Sequence, residues 1–378
     1  MRGNIRLIAS ILLTLNIVPS SALAQNNDQG AARIMTYNLD EGTDYQEALG
    51  AALFNPSAFP AAVQLTIDNV RATNPPARMA AIASEIAAHH PDLVGVQEAT
   101  QWRMSGTCAD STAPEFDLLQ SLLAQLSALG QHYEAIAVTK EFDFIGFTPS
   151  GNCVRATNQD AILARTDLAA GGFQLANVQS ANFQNVLTFS TSIGPLKLLR
   201  GWASVDAVVR GQSFRFITTH LEDGTQGYPF SVYQQLQASE LLQKAGSTDL
   251  PIIIAADFNV AANNSADPSY GTYREIIAAG LADQWQAGSS AAGLTCCQSP
   301  LLTNMVSSLS NRIDLVFASD RFVAREAQLV GTTPSDVATN VFWPSDHAGV
   351  FVKLKLPDQY SRESPLDSMA EIDSTWMF

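Results

Sequence analysis

The octapeptide Trp343-Pro344-Ser345-Asp346-His347-Ala348-Gly349-Val350 places an acid and an imidazole just before Gly349 to Leu354, a run that reads as a β-strand. A histidine at a strand mouth can move protons near neutral pH when a second carboxylate orients it. The same arrangement recurs along the chain. Asn38 follows Arg33 to Tyr37, Glu98 follows Leu93 to Val96, and His220 follows Ser213 to Thr219. Asp257 and Asn259 follow Pro251 to Ala256, and Asp314 lies inside Arg312 to Phe317. Each residue alone serves as readily as a cap or a turn. Together they form a set rich in Asp, Glu, Asn and His with no basic run. That is the donor set of a hard cation such as Mg²⁺, with substrate phosphate oxygens completing the coordination.

The elements that must carry these residues are short strands mixed with helices. The spacing of Met79, Ile82 and Ile86 among alanines predicts a helix over Ala77 to Ala88, stopped by His89-His90-Pro91. His89 and His90 read as solvated residues at a helix end. Phe116 to Leu129 and Phe230 to Lys244 read as further helices, and Tyr273 to Ala279 as a short one. Trp202 to Val209 and Ser213 to Thr219 read as a hairpin around Arg210-Gly211-Gln212. Residues 45–76, with Pro56, Pro60, Pro75 and Pro76, read as irregular loop, and residues 99–114 as another loop. The pattern predicts one α/β domain over residues 32–356 and an acidic tail at 357–378.

With 46% hydrophobic residues and a mean hydropathy of +0.04, the chain can bury a substantial core. Residues 1–24 read as a signal peptide: Arg2 and Arg6, an apolar run from Leu7 to Val18, and Ala22-Leu23-Ala24 before Gln25. The apolar run is short for a membrane span. The mature chain is therefore expected in a periplasm or the medium, without a transmembrane segment and as a monomer. Losing Arg2 and Arg6 takes the formal charge from −15 to −17. Such a surface repels polyanions, which argues against a basic duplex-binding face. A phosphate substrate stays open if metal ions bring the positive charge. Export also permits disulfides. Cys108, Cys153, Cys296 and Cys297 allow three pairings, and Cys108 with Cys153 is expected, stapling the helical segment between them. A bridge between the adjacent Cys296 and Cys297 is uncommon.

Six segments in order resemble the endonuclease/exonuclease/phosphatase superfamily. They are Met35-Thr36-Tyr37-Asn38, Asp92 to Glu98, Thr219-His220-Leu221-Glu222, Ala256-Asp257-Phe258-Asn259, Arg312-Ile313-Asp314 and Ser345-Asp346-His347. The resemblance implies an α/β sandwich of two packed mixed sheets flanked by helices, with the site at one edge. It implies that Glu98, assisted by Asn38, holds Mg²⁺ (or Mn²⁺), and that His347 is a general base or transition-state partner held by Asp314. Asp257 and Asn259 would position water and phosphoryl oxygens, and His220 would act as an acid or phosphate contact. Asp346 would be a further or outer metal ligand, and Asp40 would serve a second ion. An Asp314 buried in a strand is costly unless paired, so a hydrogen bond to His347 would satisfy both groups.

Some stretches depart from the small nucleases of that superfamily: residues 40–76, 99–114, 140–158 and the Cys296-Cys297 loop. Asp160 stands where relatives often carry Asn or Gly. These features bear on substrate more than on chemistry. The leading expectation is a nuclease-like phosphoesterase, with diester ahead of monoester and a nucleic acid, a nucleotide or a phospholipid headgroup as substrate. The runner-up is a sphingomyelinase-like phospholipase C, which a long exposed hairpin with aromatic tips would favour; the sequence suggests none. A non-catalytic binding module would have lost some of Glu98, Asp257, Asn259, Asp314 and His347, and all five are present.

Overall fold

Leu93-Val94-Gly95-Val96 and Ile253-Ile254-Ala255-Ala256 are apolar on both faces, as strands must be when both sides are covered. The computed structural model describes residues 30–355, apart from 110, 169–172, 192–193, 336 and 339. The expected signal peptide and acidic tail lie outside the described residues.

The first large sheet holds β1 (Ala31–Asn38), β2 (Leu93–Gln97), β3 (Gln101–Ser105), β4 (Phe116–Asp117), β5 (Tyr133–Phe147) and β6 (Cys153–Arg165), with two strands from the end of the chain. The second holds β7 (Phe173–Asn182), then, past the small hairpin β8 (Leu187–Thr191) and β9 (Gly194–Leu198), β10 (Gly201–Val209), β11 (Gln212–His220), β12 (Ile252–Asp257), β13 (Leu281–Asp283) and β14 (Asp314–Ser319). β15 (Val323–Val330) and β16 (Gly349–Lys355) return to the first sheet, where β16 runs antiparallel to β1. The order there is β15-β16-β1-β2-β6-β3-β4, with β5 on β6, and the other sheet runs β13-β14-β12-β11-β10-β7.

The facing sides of the two sheets share a core that includes Ile34, Leu93, Ile162, Val205, Phe216, Ile253 and Val316. At Gly95 the two sheets are in close contact: a Cβ there would lie 2.6 Å from the Ala255 carbonyl. Only glycine fits that contact. Helices α1 (Gln46–Phe54), α2 (Phe59–Ala72), α3 (Pro75–His89) and α4 (Leu118–Ala128) cover the outside of the first sheet. Helices α5 (Phe230–Ala245) and α6 (Tyr270–Ala278) cover the second, and the short α7 (Gln284–Gly288) packs near β15. The fold is the expected sandwich of two mixed sheets flanked by helices.

Two expectations are corrected. Residues 45–76 are helical, because each proline there starts a helix. Pro56 opens a 3₁₀ turn, Pro60 lies in the first turn of α2, and Pro75 and Pro76 open α3. Proline costs a helix nothing at these positions, where the N–H has no intrahelical partner. Residues 99–114 contain β3, which pairs with β6. Residues 140–158 belong to the long β5–β6 hairpin. This hairpin exposes Ile145 and Phe147, whereas Phe142 and Phe144 pack under Tyr45 and Phe59. The β10–β11 hairpin is as expected, with Arg210 and Gly211 at φ 52° and 81° in a tight turn. His89 and His90 close α3, each with a hydrogen bond to a neighbouring oxygen.

Glu85 on α3 accepts a 2.8 Å hydrogen bond from the Tyr37 hydroxyl. Burial raises its carboxyl to about 7, against the hydrogen bonds that lower it. A raised acid contributes stability below its unfolded pKa and loses it as pH rises through the folded one. Between pH 4.5 and 8, Glu85→Gln should therefore lose less stability than the wild type, by up to about 3 kcal/mol. Urea melts of both proteins across that range test it; parallel curves would refute it.

Candidate active site

Strand register assembles the site. β11 and β12 are parallel with His220 beside Asp257, and β12 and β14 are antiparallel with Asp257 beside Asp314. Three functional side chains thus stand in a row along one edge of the second sheet. The first sheet brings up Asn38 at the end of β1 and Glu98 one residue past β2. These strands are parallel, with Asn38 beside Gln97. His347 arrives on the turn before β16. Ser345 fixes that turn by donating to the Asn38 carbonyl at 2.8 Å and accepting from the His347 N–H at 3.0 Å.

The expected Asp314–His347 contact is present. Nδ1 lies 2.9 Å from Asp314 Oδ2, and Asp257 Oδ2 lies 3.8 Å away. Burial alone would lower the imidazole, but the Asp314, Asp346 and Asp257 charges outweigh it and hold it well above its ordinary range. Burial, and then the adjacent Asp314, raise Asp257 to about 7. Asn38 Nδ2 donates to Glu98 Oε1 at 3.0 Å and to Asp257 Oδ2 at 3.1 Å, so it bridges the two sheets.

His220 stands between Asn259 and Asp257, whose Oδ2 lies 3.5 Å from its Nε2. Asn259 Nδ2 lies 3.0 Å from both its Nε2 and the Leu221 carbonyl. The amide therefore donates to both, and Nε2 accepts. Burial and the nearby Arg200 lower this histidine well below its usual range. Asn259 takes a left-handed φ of 52°, and its N–H closes a turn onto Asp257 Oδ1 at 2.9 Å.

The residues present fit a hard cation. Asp346 Oδ1 and Asp314 Oδ1 are buried without hydrogen-bond donors, and so is Asp40 Oδ2, which has the Arg78 guanidinium 3.6 Å away. Burial and Glu98 both raise Asp40, while burial and then Asp40 raise Asp346. Carboxylates gathered with unmatched oxygens call for positive charge, and Mg²⁺ takes such oxygens. One atom each from Asp257, Asp314 and His347 also lies within 4.8 Å of the others. Within that trio His347 Nδ1 and Asp314 Oδ2 are already paired; beside it, Asp40 and Asp346 carry the oxygens without a hydrogen-bond donor, while Glu98 accepts from Asn38 and from the Glu41 N–H.

Asp40, Glu98, His220, Asp257, Asn259, Asp346 and His347 line a pocket of about 440 Å³ whose other walls come from the segments at 41–49, 198–200, 223–226 and 296–300. Among its described lining residues Arg200 is the single Arg or Lys. Arg200 lies 3.9 Å from Glu222, near two fully buried acids, Glu141 and Asp160. Burial raises both acids well above the carboxylate range, against the lowering pull of Arg200.

Sequence reasoning missed Arg200 and Arg78. Arg78, fully buried, donates to the carbonyls of Leu39 and Asp40 at 2.8 Å and of Pro344 at 3.1 Å. It ties the Asp40 loop to the His347 turn. A charge on the same helical face as Ile82 was its signal. Arg78→Met should cost at least about 3 kcal/mol, since it leaves three carbonyls and Asp40 without their cation. Denaturant unfolding tests this, and a loss under 1 kcal/mol would contradict it.

Cys108 and Cys153 are paired as expected, with Cα atoms 5.5 Å apart. The bridge encloses α4 and β5 and ties the loop after β3 to the start of β6. Cys296 is joined to Cys297, the adjacent pairing that looked uncommon from sequence.

A two-sheet sandwich whose strand ends converge on carboxylates, an amide pair and a carboxylate-held imidazole defines a class of phosphoester-hydrolysing proteins. The model of the Endonuclease/Exonuclease/phosphatase family matches residues 35–347. The chain belongs to that family, whose members hydrolyse phosphoesters. Its fold is similar to an endonuclease/exonuclease/phosphatase family protein from Bacteroides thetaiotaomicron (18% identity, TM-score 0.54, covering 87% of this chain and 98% of that one). It is also similar to a family protein from Leptotrichia buccalis (17%, 0.54, 86% and 100%). A mannosyl-6-phosphatase of Bacteroides thetaiotaomicron shares the fold too (19%, 0.53, 85% and 99%). No curated protein matches the sequence. Among the described residues no helix is long and apolar enough to cross a membrane.

Proposed function

We propose that the chain is an exported, nuclease-like hydrolase of phosphoesters that works with Mg²⁺, or Mn²⁺ in its place, on small or single-stranded phosphodiesters ahead of monoesters. The observation that carries this reading is the continuous series Asp314–His347–Asp257–Asn38–Glu98, joined by contacts of 2.9, 3.8, 3.1 and 3.0 Å, beside a pocket that His347, Asp257 and Glu98 line. Glu98, with Asn38 beside it, would hold the metal, and Asp40 and Asp346 lie close enough electrically to share it. The bound ion supplies charge neutralisation for the phosphoryl oxygens.

The remaining chemistry belongs to the chain. Asp257, with a carboxyl near 7, accepts the proton of the attacking water, and the Asn259 turn fixes its orientation. His347, held protonated by Asp314, donates from Nε2 to the phosphoryl group as negative charge builds there. His220 offers Nδ1–H, a buried donor with no partner of its own.

The acidic chain and a pocket with one Arg and no Lys among its described lining residues support small substrates over duplex DNA, whose binding rests on many cation–phosphate contacts. At matched ionic strength, kcat/KM on an aryl phosphodiester should exceed that on plasmid DNA. Efficient plasmid cleavage at physiological salt would overturn this preference. The exposed Ile145 and Phe147 on the β5–β6 hairpin favour the phospholipase C reading, so the same screen includes an aryl phosphomonoester, single-stranded DNA, RNA and sphingomyelin, each with and without Mg²⁺. Turnover of none of them would sink the hydrolase reading.

A further inference from the structure

The pocket wall beside His347 contains two sulfurs that the chemistry above does not use. One donor atom each from Cys296, Cys297 and His347 lies within 4.8 Å of the others. A tetrahedral zinc ion needs sulfur and nitrogen ligands roughly 3.5–4 Å apart; a His347 nitrogen already stands within 4.8 Å of both sulfurs, and the sulfurs, bonded to each other in the oxidised chain, would part on reduction. We propose that Cys296 and Cys297, once reduced, form with His347 a capture site for a soft divalent cation such as Zn²⁺, and that occupancy of this site withdraws His347 from phosphoester chemistry.

Three features support it. First, backbone hydrogen bonds hold the cysteines in place independently of their bridge. Cys296 exchanges two 3.0 Å bonds with Asn311, Ala348 donates to the Thr295 carbonyl at 2.8 Å, and Gln298 donates to the Asp346 carbonyl at 2.8 Å. The residues on both sides of the pair are thus tied to the residues on both sides of His347. Reduction would leave this frame in place and free the two sulfurs. Second, His347 Nδ1 is committed to Asp314 at 2.9 Å, which leaves Nε2 for a cation. A carboxylate behind a ligating histidine is the usual outer partner in zinc sites, since it fixes the tautomer and strengthens the ligand. Third, both cysteines line the open pocket, so reductant and metal can reach them. Thiolates select Zn²⁺ over Mg²⁺, whereas the carboxylates across the pocket prefer the harder ion. The two cations would therefore sort between two neighbouring donor sets.

The step balances. A water-soluble phosphine takes up the oxygen of one water and becomes its oxide; the S–S bond breaks and two thiols form. Zn²⁺ then displaces the two thiol protons to solvent.

The test compares oxidised wild type, phosphine-reduced wild type and a reduced Cys296→Ser/Cys297→Ser variant. The variant controls for reduction of Cys108–Cys153. After equilibrium dialysis against buffered Zn²⁺ with saturating Mg²⁺, reduced wild type should retain one more equivalent of Zn²⁺ than the other two. Alkylating its thiols should remove that equivalent, which guards against misfolding of the variant. His347→Ala should weaken the extra site at least tenfold. With a phosphoester that the enzyme turns over, one equivalent of Zn²⁺ should lower the rate at least tenfold in reduced wild type only. Equal retention in all three proteins, or equal inhibition of wild type and variant, would overturn the proposal. The metal count stands whether or not the hydrolase reading holds, so failure of one is separable from failure of the other.

Discussion

His347→Ala should lower kcat by on the order of 10²–10⁴-fold on any phosphoester the wild type hydrolyses, with the unfolding midpoint near that of the wild type. The imidazole is almost fully buried, and Nδ1 is fixed by Asp314, so Nε2 is the atom offered to substrate. Alanine removes both the donor and the positive charge that three carboxylates sustain. Asp257→Ala should cost at least about 10²-fold for the complementary reason, the loss of the proton acceptor. Asp314→Asn separates charge from position. The amide can still hold the ring, but the charge that raises His347 is gone, so the imidazole loses its proton at lower pH. The alkaline limb of kcat against pH should therefore move to lower pH. If Asp314→Asn leaves that profile where it was, Asp314 does not set the protonation of His347. If His347→Ala retains full turnover, the assignment of the site fails.

Removing divalent metal with EDTA should reduce turnover to background, and Mg²⁺ or Mn²⁺ should restore it. The reason is electrostatic. Asp40, Asp346 and Asp314 each carry a buried oxygen with no hydrogen-bond donor, and after burial the Asp40 charge raises Asp346. A developing phosphorane adds further negative charge to that space, and Arg200, drawn toward Glu222, is the single Arg or Lys lining it among the described residues. Glu98→Gln should raise the metal concentration for half-maximal rate at least about tenfold, the low end of what lost ligand support costs. Asn38→Ala should act in the same direction, since Asn38 orients both Glu98 and Asp257. Full activity in EDTA would refute the metal requirement.

The strands that carry the site were legible because their signals are local. A run such as Ile252 to Ala256 can only be a buried strand, and a polar residue at its end is visible without knowing where the strand lies. Asn38, Glu98, His220, Asp257, Asn259, Asp314 and His347 were all found that way, and the fold gathers them. The helices over 46–72 were not legible. Proline reads as a breaker unless the helix start is known, and here each proline sits at such a start.

The sequence by itself determined the chemistry available: oxygen donors, two imidazoles and no basic run, each at the end of an apolar strand. Tertiary structure decided what stands beside that chemistry. It placed Arg78, 266 residues from Pro344, under both the Asp40 loop and the His347 turn. It set Arg200 in a pocket with no other Arg or Lys among its described lining residues, and laid Cys296 and Cys297 against His347. A hydrophobic pattern specifies which face of a strand is buried. The register between strands, and hence which side chains meet at a sheet edge, follows from packing across the whole molecule.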